Sequence, residues 1–478
     1  MMSEEIASTQ LTAKKSDFSE WYHQVTFLAG VFDQRYDLKG MFVWKGYGYR
    51  TMMNIKGIWD RLFQDAGIEE CYFPLIVPIE YCKKNESWWE KFSVEGYKVI
   101  AGKDDKVQGA LRPTGEPAMY PMFSQWVRST ADLPIRLYET VSSFRYETKN
   151  PRPLIRDMEI TVWHEIHTAH ATKEEADQEM ALHITMWDCI WADLCLPTWK
   201  VNKPTWECFP GAIGGVEYYN TMPTGRVLES GSVNNLGQSY AKKFDIAYND
   251  ADGNARHVWQ ICTGVGARLL AAVIAIHGDD RGLILPPKIA PFQAIIVPIF
   301  YKGKEESVLS RSREIANQLH TAYRVKLDDR NESAGRRFYD WEIKGVPVRI
   351  EIGPRDVERD EVTVVRRDTG EKRAVQTADL ERALQESLDA VAKELLERAT
   401  RMLREQTVPA ASILEIRDRL AEGKICISPW CGSQTCFEMA NTLEPSVEAI
   451  GDALEAAHGT CFHCGVASER QLYIAKTY

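Results

Sequence analysis

The residue types able to do chemistry fall into two groups along this chain. Near one end stand Cys431-x4-Cys436 and Cys461-x2-Cys464. Two cysteine pairs on tight turns can present four thiolates tetrahedrally to one Zn²⁺, and Trp430, Gly432 and Gly465 beside them suit such turns. No ligand position is left for water, so the metal would be structural; four buried small hydrophobes is the competing reading. Cys426 and His463 lie close by and are assigned to neither. The second group is Phe144-Arg145-Tyr146-Glu147, a basic loop with Lys149, Arg152 and Arg156, and later Gly264-Val265-Gly266-Ala267-Arg268. A strand arginine can pair two-pronged with a carboxylate or phosphate, and glycines ahead of a helix let a nucleotide approach the backbone. Taken alone, Arg145 and Glu147 fit a cross-strand ion pair as well.

The chain that must position these groups has 478 residues and a formal charge of −10, from 58 Lys+Arg against 68 Asp+Glu. An acidic molecule binds nucleic acid only through a local basic surface. With 44% hydrophobic and 26% charged residues the composition is that of a globular protein of two to four domains. No run reaches about 18 apolar residues, so no membrane helix is expected, and the polar first residues make secretion unexpected. A cytoplasmic protein is the expectation. Of 11 cysteines, five lie between Cys426 and Cys464, which favours metal over cross-links.

The first fifteen or so residues read as a loose tail. Asp17-Phe18-Ser19-Glu20 has capping-box spacing and opens a helix to about Phe32; a second helix spans Thr51 to Ala66. Cys71 to Pro78 reads as a strand edge. Ile135–Tyr138, Ser143–Glu147 and Glu159–His164 read as antiparallel strands, with Asn150-Pro151-Arg152-Pro153 as a loop. Lys173–Leu194 and Arg268–His277 are helical, and Leu285–Pro291 is the clearest linker. Beyond it Ala294–Ile299, Val346–Ile352 and Val362–Arg367 read as strands, Val308–Thr321 and Thr377–Gln406 as helices, an α/β alternation.

In combination these motifs resemble a known family. Phe-Arg-x-Glu, a basic loop, then Gly-x-Gly-x-Arg opening an apolar helix look like motifs 2 and 3 of class II aminoacyl-tRNA synthetases. The wider similarity is to prolyl-tRNA synthetases of the archaeal/eukaryotic type. It is carried by Arg112-Pro113-Thr114-Gly115-Glu116, the run from Phe144 to Ile155, Glu165-x-His167-Thr168-Ala169-His170 and His277-Gly278-Asp279-Asp280-Arg281-Gly282. Gly345 to Asp356, Arg366-Arg367-Asp368, the cysteine cluster and Tyr478 extend it over nearly the whole chain from about Ser16.

The resemblance implies an α+β fold: an antiparallel class II sheet flanked by helices (17–290), an α/β anticodon-binding domain (291–405) and a small zinc-binding end (406–478), after a flexible tail (1–16). It implies ATP-dependent activation of proline and transfer to tRNA, with Mg²⁺ and a structural Zn²⁺ on Cys431, Cys436, Cys461 and Cys464. Arg145 would bridge the amino-acid carboxylate and the α-phosphate, and Glu147 would accept from the adenine amino group. Arg156, Arg152 and Arg268 would reach the ATP phosphates, with Glu229 and Ser232 beside them and Glu229 available to Mg²⁺. Thr114 and Glu116 would take the substrate amine, in a pocket completed by Trp163, His167, Cys262 and Gly264. Glu351, Arg355, Asp356 and Lys372 would read tRNA bases, and a homodimer would form through the 51–78 region.

The chain departs from the family pattern. Ser232-Val233-Asn234 replaces Thr-Ser-His, Cys262-Thr263-Gly264 replaces Ser-Trp-Gly, and Gly266 and Ala267 stand for Ser/Thr. Ile166 replaces a small residue, Met158 an arginine and Glu229 a glutamine. Losing a Trp wall and gaining an Ile is expected to reshape an apolar pocket, where one methylene is worth about 1–3 kcal/mol of discrimination. Two alternatives follow: a divergent paralogue that charges another small amino acid or tolerates an inhibitor, and a non-catalytic tRNA-binding protein.

Overall fold

The computed structural model describes residues 10–84, 96–100, 102, 106–146 and 151–478. Glu147 and Lys149 lie outside the described residues. Helix α1 (Phe18–Leu28) follows Asp17, whose side chain makes no capping bond, so the spacing there does not close a capping box. Helix α2 (Gly46–Asp65) starts a turn earlier than Thr51 and buries Met52, Ile55, Ile58, Trp59 and Phe63 along one face. Strand β1 (Glu69–Glu70) follows, whereas the Cys71–Pro78 run supplies only the short strand Ile76–Val77 of a separate three-stranded sheet. Helix α3 (Glu116–Trp126) precedes β2 (Ile135–Phe144), one ten-residue strand where two were expected. Then come β3 (Glu159–His170) and α4 (Lys173–Asp193), the latter opened by a reciprocal Thr172–Glu175 capping box.

Strands β4 (Trp199–Asn202), β5 (Gly214–Thr221), β6 (Arg226–Gly237) and β7 (Trp259–Val265) complete the middle of the sheet, and α5 (Arg268–His277) follows directly. Helices α2, α4 and α5 cover one face of it in a core with Val162, Ile166, Val233, Ile261 and Val265. The other face carries α3, with Tyr120 and Phe123 packed near Ala169 and Cys262.

The proline-rich stretch after α5 is not slack. Leu285, Ile289 and Ala290 are buried, and Arg324 donates to the carbonyls of Pro287, Lys288 and Ala290. Gly345, at φ +71, allows this: a Cβ there would sit 2.5 Å from the Leu283 backbone. The next unit is a five-stranded sheet from β8 (Ala294–Pro298), β9 (Val325–Leu327), β10 (Val348–Ile352), β11 (Glu361–Arg366) and β12 (Lys372–Gln376), in the order β9-β8-β10-β11-β12. β8 runs parallel to β9 and β10, and the last two pairings are antiparallel. The helices Glu305–Leu319 and Ala334–Ile343 make the crossovers, and Leu380–Gln406 packs Leu380, Leu384 and Leu388 into the sheet's core.

The chain then returns to the first sheet. Strands β13 (Thr407–Pro409), β14 (Ile425–Trp430), β15 (Val447–Ala453) and β16 (Arg470–Thr477) join it through β15, whose Asp452 and Ala453 pair with Asn202 and Val201, and through β16, whose Lys476 and Thr477 pair in parallel with Arg226 and Val227. One eleven-stranded sheet results, in the order β13-β14-β16-β15-β4-β5-β6-β7-β3-β2-β1. Residues 10–16, expected to trail, are tied down among the described residues: Leu11 N donates to the Tyr339 hydroxyl at 2.7 Å and Lys15 Nζ to the Ile276 carbonyl at 3.1 Å.

Candidate active site

Side chains alternate along a strand, and β3 and β7 show how that divides labour. Cys262 lies opposite His167 and Gly264 opposite Glu165, all on the face carrying α3, while Thr263 lies opposite Ile166 on the face covered by α2 and α4. The front face gathers Thr114, Glu116, Glu165, His167 and Cys262. Thr114 Oγ1 donates to Glu165 Oε1 at 2.5 Å, His167 Nδ1 meets the Tyr120 hydroxyl at 2.9 Å, and His167 Nε2 lies 3.8 Å from Glu165 Oε2. Beneath them Arg112 and Glu139, both fully buried, pair at 2.6 Å, and Phe73 N donates to Glu139 Oε2 at 3.0 Å.

Burial sets much of the electrostatics here. It pushes the Glu116 carboxyl up, with His167 opposing and Glu165 adding to the rise. It also raises Glu139, to about 7, against the pull of Arg112. Burial acts the same way on Glu165, but His167, Arg112 and the Thr114 hydroxyl outweigh it and hold that carboxyl at about 2. For His167 burial favours the neutral ring, and Glu165, Glu116 and Glu139 reverse it, so the imidazole is raised above its ordinary value.

Next to this cluster is a cavity of about 120 Å³ lined by Arg145, Ile155, Arg156, Trp163, Glu229, Gly264, Gly266 and Arg268, among others. Arg145 Nε donates to the Pro113 carbonyl at 3.3 Å, and its guanidinium lies 5.0 Å from the centroid of the Trp163 ring. That ring needs glycine opposite: a Cβ on Gly264 or on Gly266 would come within 3.0 Å of it. Arg268, at the first residue of α5, donates to the carbonyls of Ile155 (3.1 Å) and Glu229 (3.0 Å) and lies 3.6 Å from the Glu229 carboxylate. Glu229 is a half-exposed carboxylate at the cavity rim, an oxygen donor of the type Mg²⁺ prefers. Ser232 sits one position past Gly231, which lines the cavity, and accepts from Asn234 Nδ2 at 3.0 Å.

Arg152 is not brought to this cavity. It donates to Ser19 Oγ at 2.8 Å and lies over the rings of Phe18 and Tyr478. Tyr478, which the resemblance groups with the C-terminal zinc domain, has no site role in that reading. β16 delivers it to the arginine loop, where Arg156 Nη2 donates to its main-chain oxygen at 2.6 Å and Thr224 Oγ1 meets its hydroxyl at 2.8 Å. Arg112, Tyr120, Glu139 and Glu165 were also missed as site residues, although Arg112 and Glu165 lie within the quoted runs.

The expected reshaping of the amino-acid pocket by Ile166 and Thr263 is not what the fold does. Both side chains point to the back: Ile166 joins the core under α2 and α4, and Thr263 Oγ1 meets His183 Nδ1 at 2.9 Å. His183 Nε2 is in turn 3.0 Å from Glu179, which pairs with Arg136 at 3.0 Å. Asn234 and Cys262 do face the front, with Asn234 Nδ2 3.8 Å from Cys262 Sγ. Met158 is a packing residue: it is buried, and a Cβ on Gly40 would lie 2.5 Å from its Cγ.

In the second sheet Glu351 accepts from Arg349 at 2.7 Å and pairs with Lys372 at 3.2 Å. Arg349 and Lys372 line a basic cavity of about 180 Å³ with Arg281, Arg366 and Arg367. Arg355 is exposed, whereas Asp356 Oδ2 accepts from Gly353 N at 2.7 Å at the start of a short helix. At the far end of the first sheet the sulfurs of Cys431, Cys436, Cys461 and Cys464 lie within 4.8 Å of one another, two of the separations being 3.6 Å. Sulfurs about 2.3 Å from one zinc ion stand roughly 3.8 Å apart, so the four fit a tetrahedral site.

Residues 92–277 match the tRNA synthetase class II core domain (G, H, P, S and T), and residues 293–387 match an anticodon binding domain. The proline–tRNA ligase of Methanosarcina mazei is 38% identical over 97% of this chain and 98% of its own length; that of Methanothermobacter thermautotrophicus is 41% identical over 95% and 94%. Giardia lamblia prolyl-tRNA synthetase in complex with prolyl-adenylate superposes with a TM-score of 0.94 at 33% identity, covering 98% of this chain and all of that one. The Cryptosporidium parvum enzyme, complexed with halofuginone and AMPPNP, gives 0.92 at 31% identity, covering 98% of this chain and all of that one. With relatives of 38% and 41% identity matched over nearly the whole of both chains, and a class II core model matching residues 92–277, the chain belongs to the proline–tRNA ligase family of class II aminoacyl-tRNA synthetases.

Proposed function

We infer that this protein activates proline with ATP to prolyl-adenylate and transfers the prolyl group to the 3′ end of a tRNA. The observation that carries the chemistry is Arg145, fixed between the Thr114–Glu116–His167 cluster and the cavity that Arg156 and Arg268 line. A secondary ammonium held by Glu116, Glu165 and Thr114 leaves its carboxylate pointing toward Arg145. A carboxylate oxygen then attacks the α-phosphorus, the α–β bridging oxygen departs with pyrophosphate, and catalysis consists of position and fixed positive charge. Mg²⁺ would neutralise phosphate charge, and Glu229 would help hold it; Zn²⁺ on the four C-terminal cysteines would brace β14 and its neighbours.

With Ile166 and Thr263 behind the sheet, the case for an altered amino-acid specificity is reduced to Asn234 and Cys262. ATP–pyrophosphate exchange across the twenty amino acids tests this: fastest exchange with proline is expected, and a better substrate would overturn it. The Glu351–Lys372 cluster and the basic cavity are the tRNA-reading surface in this proposal. Exposed Tyr72 and Ile76 belong to the surface through which two copies would pair. Among the described residues no helix is long and apolar enough to cross a membrane.

A further inference from the structure

The floor of the amino-acid pocket holds more than amine recognition needs. Glu116, His167 and Cys262 offer a carboxylate oxygen, an imidazole nitrogen and a thiol sulfur, all within 4.8 Å of one another. They are 3%, 1% and 5% exposed, and Glu116 Oε2 and His167 Nε2 have no hydrogen-bond partner. An ammonium group looks for oxygen or nitrogen acceptors, and thiol sulfur is a weak one. A borderline-soft metal uses all three donor types.

Charge points the same way. Of the buried carboxylates Glu116, Glu139 and Glu165, Glu139 pairs with the buried guanidinium of Arg112, and the three, when ionised, exceed that one charge by two. A dication offsets that excess with His167 neutral, leaving one negative charge once the Cys262 thiolate is counted; a substrate ammonium offsets it with His167 protonated. The two occupants are therefore alternatives.

We propose that Glu116, His167 and Cys262 form a second metal site, specific for zinc-class divalent ions, whose occupation excludes the substrate amine. Donors at about 2.0–2.3 Å from such an ion stand roughly 3.3–3.7 Å apart, so the trio closes with side-chain movements of about 1 Å. Coordination releases the thiol proton to solvent, and the fourth position stays open to water. Free zinc is then a competitive inhibitor against proline. The competition rests on the amino-acid pocket being where the previous section puts it; the binding does not.

Co²⁺ is the probe, added to the full chain with its C-terminal cysteine cluster already loaded with zinc. One further Co²⁺ should bind with a thiolate-to-cobalt absorption band, and Cys262→Ser should abolish the band and weaken binding about tenfold or more. His167→Gln, a second variant, should weaken it likewise. In exchange assays run with Mg²⁺, Co²⁺ should raise the KM for proline at constant kcat. No additional bound Co²⁺, or a band that survives Cys262→Ser and vanishes in Cys464→Ser, would overturn the proposal. A Cys262-dependent band that proline fails to displace would uphold the metal site and overturn the amino-acid pocket instead.

Discussion

His164 and His167 stand three residues apart on one strand, both buried, and their imidazoles shift in opposite directions. His164 faces the helices, stacked on Phe63 and against Trp59, and burial lowers it well below its ordinary value. His167 faces the pocket, where three carboxylates overcome the same burial and raise it. The strand thus keeps charge on one face and neutrality on the other. The front tolerates partnerless polar atoms such as Glu116 Oε2, which cost stability and await a ligand. On the back, Thr263, His183, Glu179 and Arg136 form a connected polar chain, although His164 Nε2 there is also without a hydrogen-bond partner.

That division can be broken in graded ways. Ile166→Ala should cost about 2–5 kcal/mol in denaturant unfolding through the cavity it leaves, while kcat/KM for proline in the folded enzyme moves less than tenfold. A larger change in proline-over-alanine preference would mean that Ile166 reaches the pocket after all. Arg145→Ala, on the front, should do the reverse: pyrophosphate exchange falling about 10²–10³-fold with the unfolding midpoint nearly unmoved. Full exchange activity in that variant would remove the basis of the proposed mechanism.

The next test uses pH. His277, at the end of α5, donates from Nε2 to the Leu194 carbonyl at 3.2 Å, and burial brings its imidazole down to about 4. Between the ordinary 6.5 and 4 the unfolded chain binds a proton that the folded chain refuses. Wild type should therefore lose stability relative to His277→Gln as pH falls through that window, by about 3 kcal/mol in all, and hold a constant margin above it. A flat difference would place His277 in water. Smallest is Thr263→Val, which strips His183 Nδ1 of its partner while Nε2 keeps Glu179, and should cost about 1–3 kcal/mol without shifting KM for proline.

How far the sequence foretold this depends on whether a feature is local. Thr114, Glu116, Arg145, His167 and Arg268 lie in short runs whose chemistry is visible in order, and each reaches the front face or its cavity. The two faces were legible as well, had alternation been applied. Ile166 lies between Glu165 and His167, and Thr263 between Cys262 and Gly264, so both must point backward. Asp17 shows the opposite limit: correct cap spacing, with no bond made. The pairing of β15 with β4, and the arrival of Tyr478 beside Arg156, join residues about half to two thirds of the chain apart, and no local pattern encodes them.

The return of the chain to its first sheet has a consequence for anyone wishing to cut or graft this protein. The five-stranded anticodon unit is spliced into the midst of a larger body, so a stop codon placed after residue 290 would not liberate a minimal enzyme. It would strip β4 of its β15 neighbour and bare a row of amides and carbonyls primed for aggregation. Exchange of specificity modules between relatives is better made by replacement in situ, keeping both severed halves of the host.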